Sequence, residues 1–184
     1  DLHSFPTRRS SDLSFIPEED FIVIPEVTSE NRDYIPMEYV EEKETTKKLF
    51  SNLVKLMPGA TYYHFGVLQS KVHMIWTKGI CGYKDFRPRY STDVVFNNFP
   101  WPDVSQNDKE AIETTAKKIL EVRKRYPESC LADLYDVATM PDDLMKAHLD
   151  NDKAVMKAYG FTGKTDKEVT KALLKLYKKL ISEK

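Results

Sequence analysis

A break in periodicity near residue 103 constrains this chain more than any other feature it carries. Beyond the break, apolar residues recur only at helical spacing, and no stretch alternates as a half-buried strand would. Ile112, Ala116, Ile119, Leu120 and Val122 form one apolar stripe, expected to run from an Asn107/Glu110 capping pair to Pro127. Pro141 suits the first turn of a second helix reaching about Tyr159 and closed by Gly160. Thr165 and Glu168 make a capping box ahead of Val169, Leu173, Leu176, Tyr177 and Leu180. Before the break the pattern is mixed. The expected fold class is therefore α+β, a mixed α/β half followed by an all-helical C-terminal half, with residues 14–103 in the first and 104–184 in the second.

Within the mixed half, Phe21 to Val27 (FIVIPEV) predicts a short buried strand that meets Pro25 near its end. Residues 28–48 are polar, an irregular connection anchored by Tyr34, Ile35, Pro36 and Tyr39. Leu49 to Met57 (LFSNLVKLM) reads equally as a helix face or an alternating strand, and Pro58-Gly59 ends it in either case. Phe65, Leu68, Val72, Ile75 and Trp76 predict a helix from about Gly66 to Lys78, stopped by Gly79 and Gly82. Residues 83–93 are Arg-rich with Pro88 inside, hence a loop or edge ribbon. Asp93–Phe96 is expected as a short strand, and NNFPWP (97–102) as an extended exit.

The chain has 184 residues, of which 41% are hydrophobic, enough for one modest core or two small ones. Cys81 and Cys130 are too few and too isolated for a disulfide framework or a zinc site, which fits a reducing cytoplasm. No apolar run approaches the roughly 18 residues of a membrane-spanning helix, and the start has no apolar core of a secretory leader. The stretch His3–Leu13 (HSFPTRRSSDL) resembles a sequencing-adapter oligonucleotide translated in one frame. Residues 1–13 are therefore set aside as artefactual or disordered, and the credible chain is expected to begin mid-protein. A polar tail is the other reading of this segment.

Catalytic constellations are hard to find. The sequence has no Gly-rich phosphate or cofactor loop, no Cys/His metal spacing and no nucleophile elbow. NNFPWP only looks similar to the Asn-Pro-Pro-aromatic motif of amino-methylating DNA enzymes. His64, His73 and His148 fall on or beside predicted helices and are expected to be packed or solvent-facing. No residue is assigned a catalytic, metal or cofactor role. What stands out is a basic cluster: Lys71, Lys78, Lys84, Arg87 and Arg89 lie between residues 71 and 91 against Asp85 alone. Such a concentration in a chain of net charge −1 is the footprint expected for phosphate contact, although a solvated loop would look the same. In an extended ribbon Asp85 and Arg87 would point the same way. Asp85 could then accept from cytosine N4 while Arg87 donates to guanine O6 and N7. Taken alone, the residues favour the plainer reading, a surface ion pair.

Five blocks in order change that balance: IPEVTSENRDYIP (24–36), YYHFGVLQSKVHMIW (62–76), CGYKDFRPRYS (81–91), VFNNFPWP (95–102) and LADLYDVATMPDDLMKAHLDNDKAVMKAYG (131–160). Together they make the chain from about residue 21 to 180 resemble the C-terminal part of MmeI-like type IIL restriction–modification enzymes. The resemblance implies a target recognition domain followed by a helical C-terminal domain. The intact enzyme would add an upstream nuclease and an adenine-N6 methyltransferase using S-adenosylmethionine and Mg2+, with double-stranded DNA as partner. It favours a strand for Leu49–Met57. It also implies base reading by Asp85 and Arg87, which fall shortly before the RYS motif; Lys71, Lys84, Arg89 and Arg32 are then expected to hold phosphates. Pro88 departs from the family pattern and puts the local ribbon geometry in question. The competing class is a stand-alone interaction module docking another protein through basic C-terminal helices, where Lys171, Lys175, Lys178 and Lys179 cluster. A methyltransferase subunit without a nuclease is a third reading.

Overall fold

The computed structural model describes residues 8–9, 17–43, 53–84 and 86–182, with Arg8, Arg9 and Lys84 described by backbone alone. Four antiparallel strands form the first layer in the order β1-β4-β2-β3: β1 (Arg8–Arg9), β2 (Phe21–Pro25), β3 (Glu38–Val40) and β4 (Val54–Pro58). The central strand is an unbroken apolar run because both its faces are covered. Ile22 and Ile24 enter the main core, while Phe21 and Val23 meet Val40 and Leu56 in a small cluster on the other face. The ambiguous segment before Pro58 is a strand over Val54–Pro58, and its start, 49–52, lies outside the described residues. Of the segment 1–13, only Arg8–Arg9 is described, and its backbone pairs with Lys55 and Leu56 of β4.

The helix expected over 66–78 is two helices, α1 (Tyr62–Leu68) and α2 (Lys71–Ile80). Ser70 causes the break. Its backbone is extended (φ −96°, ψ 158°) and its hydroxyl accepts from the His73 amide, so the serine caps a new helix instead of continuing the old one. At the front of α1, Thr61 and His64 cap each other reciprocally, with His64 in place of the usual Glu or Gln. The strand expected over 93–96 is instead one π-helical turn, Thr92–Phe96. Its i+5 bonds run from Phe96 N to Ser91 O and from Asn97 N to Thr92 O, at 3.3 and 2.9 Å, and bury Val95 and Phe96 side by side.

Helices α3 (Gln106–Arg123), α4 (Leu131–Leu134), α5 (Asp142–Ala158) and α6 (Asp166–Ser182) complete the chain. Ser105, not Asn107, caps α3, since its hydroxyl accepts from the Asp108 amide at 3.2 Å. The Thr165/Glu168 box forms as the spacing suggests, with Thr165 N donating to Glu168 Oε2 at 2.8 Å. One main core runs through both halves and includes Phe65, Phe99, Trp101, Ile112, Leu144 and Val169. Trp101 stands edge-on to His64, Phe96 and Phe99, with ring centroids 5.4–6.2 Å apart. Gly66 is the tightest joint between the halves. A Cβ there would lie 2.6 Å from Ile112 Cγ2, so only glycine lets α1 approach α3 this closely. None of the described helices is long and apolar enough to cross a membrane.

Candidate nucleic-acid interface

The Arg-rich segment folds as a two-stranded ribbon, β5 (Gly82–Lys84) and β6 (Arg87–Arg89), launched directly from the C-terminus of α2. Lys84 pairs with Arg87, so the ribbon turns over two residues. Along β6 the side chains alternate: Arg87 and Arg89 face solvent, while Pro88 and Tyr90 point inward. Pro88 fits this strand for a simple reason. Its carbonyl accepts from Thr28 N at 3.2 Å, and in extended backbone N–H and C=O of one residue share a side. The missing donor therefore faces residues 26–28, and the β5–β6 ladder keeps its bonds. Tyr90 N, donating to Glu26 O at 2.8 Å, and a bridge between Val27 and Arg89 fix the base of the ribbon.

The tip holds a feature that the sequence reading passed over. Phe86 sits in the turn with φ 70°, alone among the described non-glycine residues in having positive φ, and it is 84% exposed. A large side chain in this left-handed region costs about 1–2 kcal/mol, and glycine or asparagine is the ordinary occupant. Arg87 shares its face with Arg89, and Asp85, expected on the same surface as Arg87, lies outside the described residues.

The other residues expected at phosphates scatter. Lys71 opens α2, at the end opposite the ribbon, and its Nζ pairs with Asp166 at 2.9 Å. Arg32 is half-buried and donates from Nη2 to the Ala132 carbonyl at 3.1 Å. The Lys84 backbone lies in β5. Arg89 borders an open groove that also holds the Glu26–Lys55 ion pair and Asp93. The guanidiniums of Arg87 and Arg89 make no ion pair with a described residue.

Behind the ribbon, a buried polar seam sets the direction of α2. Arg123 donates to Met37 O at 2.8 Å, to Gln69 Oε1 at 3.1 Å and, through Nε and Nη2, to the Tyr135 hydroxyl. With both bonds from Arg123 arriving as acceptances, Tyr135 has its own proton to give to His148 Nε2 at 2.7 Å. His148 is then protonated at Nδ1, which faces Gln69 O at 3.3 Å. Tyr34 stacks on His148 and donates to Asp152 Oδ2 at 2.7 Å, and Asp152 Oδ1 accepts from the Lys71 amide at 2.7 Å. A carboxylate of α5 thus satisfies the first free N–H of α2. Burial pushes the Asp152 carboxyl up to about 6, despite the two hydrogen bonds that favour its charge. The histidines are packed, as one of the two readings had it. Burial lowers His64 to about 4, His73 to about 3 and His148 well below its usual value. Among the described residues no group of acids, histidines and cysteines could hold a metal ion. Sequence reasoning missed this seam because its bonded members lie 12 to 118 positions apart.

Comparison with known proteins places these features. A family profile described as "MmeI, target recognition domain" matches residues 3–103, and one described as "MmeI, C-terminal domain" matches residues 104–183. DNA methyltransferase A of Bacillus subtilis (strain 168) is 38% identical over 160 residues, covering 86% of this chain and 18% of that protein. The solved structure of the type IIL restriction–modification enzyme MmeI in complex with DNA superposes with a TM-score of 0.83 at 40% identity. That match covers 90% of this chain and 22% of the other, so the chain spans about a fifth of the length of these relatives.

Proposed function

This chain belongs to the MmeI family, as its target recognition and C-terminal domains, and from that premise we propose that it recognises a specific sequence in double-stranded DNA. The observation that carries the reading is the β5–β6 ribbon, which holds Arg87 and Arg89 outward on one face with no ion pair to a described residue. A two-stranded ribbon fits the major groove, where base pairs present distinguishable donors and acceptors. Arg87 donates to guanine O6 and N7, and Asp85 accepts from the cytosine N4 amine of the same pair. Arg89 and Lys84 hold phosphates. Lys71 and Arg32 join them only by leaving Asp166 and the Ala132 carbonyl.

The chain acts as the C-terminal part, without catalytic residues, of a longer cytoplasmic enzyme. That enzyme's upstream domains methylate adenine N6 with S-adenosylmethionine and cleave DNA with Mg2+. Residues 14–103 are the recognition domain and 104–184 the helical domain, joined through the common core.

The test is methylation-site mapping in genomic DNA by the enzyme that contains this chain. Arg87→Ala is expected to relax one position of the motif, at a cost of roughly 1–3 kcal/mol. Arg89→Ala is expected to weaken binding to all sequences and to lower the salt dependence by about one charge. An unchanged motif in variants at both Asp85 and Arg87 would reduce the pair to surface charges.

A second reading, docking of an acidic protein, has one observation in its favour. Lys164, Lys167, Lys171, Lys175 and Lys178 follow one another three or four residues apart and line an open groove along α6. Sequence-independent loss of DNA binding on neutralising this stripe would assign it to phosphates instead.

A further inference from the structure

We propose that Phe86 is itself a base-contacting residue, its ring packing on the C5-methyl group of a thymine in the major groove beside the pair met by Arg87. The proposal rests on the DNA-recognition reading and adds a contact that this reading does not require.

Folding gives no reason for a phenylalanine here. The ring is 84% exposed and stacks on no described aromatic, and its backbone occupies a conformation that penalises any Cβ. Backbone strain of this kind persists at ligand-contacting sites, where the surrounding structure holds it in place. Its neighbours specify the ligand. Arg87 and Arg89 are exposed on the adjoining strand, and the ribbon is pinned at its base to residues 26–28, so the tip is the part that projects. The tip of a ribbon lying in the major groove meets base edges, while its arms meet phosphates. On the edges in that groove the apolar group is the thymine methyl, to which phenylalanine is a suitable partner. Insertion between base steps, the other use of an exposed aromatic, does not depend on a 5-methyl group, so the thymine test below separates it from this contact.

The experiment uses the enzyme that contains this chain and a duplex bearing its methylation motif. Each thymine in the motif, or one pair outside it, is replaced in turn by deoxyuridine, which lacks only the methyl group. Binding is measured by fluorescence anisotropy for the parent, Phe86→Ala and Phe86→Leu. One thymine is expected to lose the parent about fourfold in affinity on replacement, the worth of one buried methyl. Phe86→Ala is expected to bind the thymine duplex more weakly by at least that factor and to ignore the replacement. Phe86→Leu, still apolar, is expected to retain part of the discrimination. Preference for the motif over a scrambled duplex, with no thymine sensitive to replacement, overturns this proposal and leaves DNA recognition standing. Losses from Phe86→Ala and deoxyuridine that multiply also overturn it, since they place the ring against something other than that methyl. No preference for the motif removes the recognition reading and this proposal with it.

Discussion

The β5–β6 ribbon and the buried seam stand at opposite ends of α2, and they use polar side chains in opposite ways. In the seam, Arg123, Gln69, Tyr135, His148 and Asp152 are all buried, and their polar groups bond to one another or to backbone. Folding accounts for each of them. On the ribbon, Phe86, Arg87 and Arg89 face outward, and one of them sits in a strained turn. Stability accounts for none of these. The difference separates residues kept for the fold from residues that need another explanation, and each half of that statement can be attacked.

Acid is expected to strike the buried polar groups hardest, at His148 in the seam and at His64 and His73 elsewhere in the core. His64, His73 and His148 are held below an unfolded value of about 6.5. Stability present above pH 6.5 is therefore lost as the pH falls towards the folded values, by up to about 2 kcal/mol per histidine at pH 5. Asp152 works the other way. Its folded value, about 6, lies above the unfolded one, so its contribution is fully present below about pH 4 and is lost as the pH rises through 6. The net expectation is a loss of roughly 4 kcal/mol between pH 7.5 and 5 in urea unfolding, equal in the parent and in Arg87→Ala. A midpoint that does not move over this range would break the comparison.

Arg123→Met comes next. It strands the Tyr135 hydroxyl, the Gln69 amide oxygen and the Met37 carbonyl, and about 3 kcal/mol should go. Tryptophan fluorescence, from Trp76 and Trp101 in the first half, should follow the same transition as far-UV circular dichroism of the helices. Two separate transitions would mean that the seam does not join the halves. Arg87→Met should stay within about 0.5 kcal/mol of the parent. At the Gly66 joint, alanine gains about 1 kcal/mol of helix propensity but must displace Ile112, so a net loss of about 1–2 kcal/mol is expected in the same assay. One further effect has the opposite sign. Phe86→Gly relieves the left-handed strain and should raise stability by up to about 1 kcal/mol in thermal unfolding. A loss would show that the ring is packed, and would move Phe86 to the other side of the comparison.

Helical periodicity made α3, α5 and α6 legible, because each carries an apolar stripe that one periodicity describes. Local chemistry beyond periodicity was harder to read. Ser70 splits a continuous stripe with one hydroxyl, and β3 is three residues with a single alternation. The π-turn at Thr92–Phe96 is set by non-local bonds such as Trp76 Nε1 to Val95 O at 2.9 Å. At the candidate interface, the charge of Arg87 and Arg89 could be read from the sequence. The place where the ribbon reverses could not, because it depends on a turn at Phe86 that the residue type argues against. The pairing of Arg123 with Gln69 across 54 positions leaves no local trace at all.

The carboxylate cap on Lys71 makes α2 a lever arm. Ten residues at 1.5 Å each give it a length of about 15 Å, with Asp152 at one end and the ribbon at the other. A tilt of about 5° at the Asp152 end sweeps the ribbon end by about 1 Å, enough to turn a well-aligned hydrogen bond into a poor one. The aim of Arg87 is thus set in part by a residue of α5, 81 positions beyond the amide it caps. A substitution at Asp152 is therefore expected to shift the ribbon, within the freedom left by its anchors at residues 26–28, without altering a single residue on it.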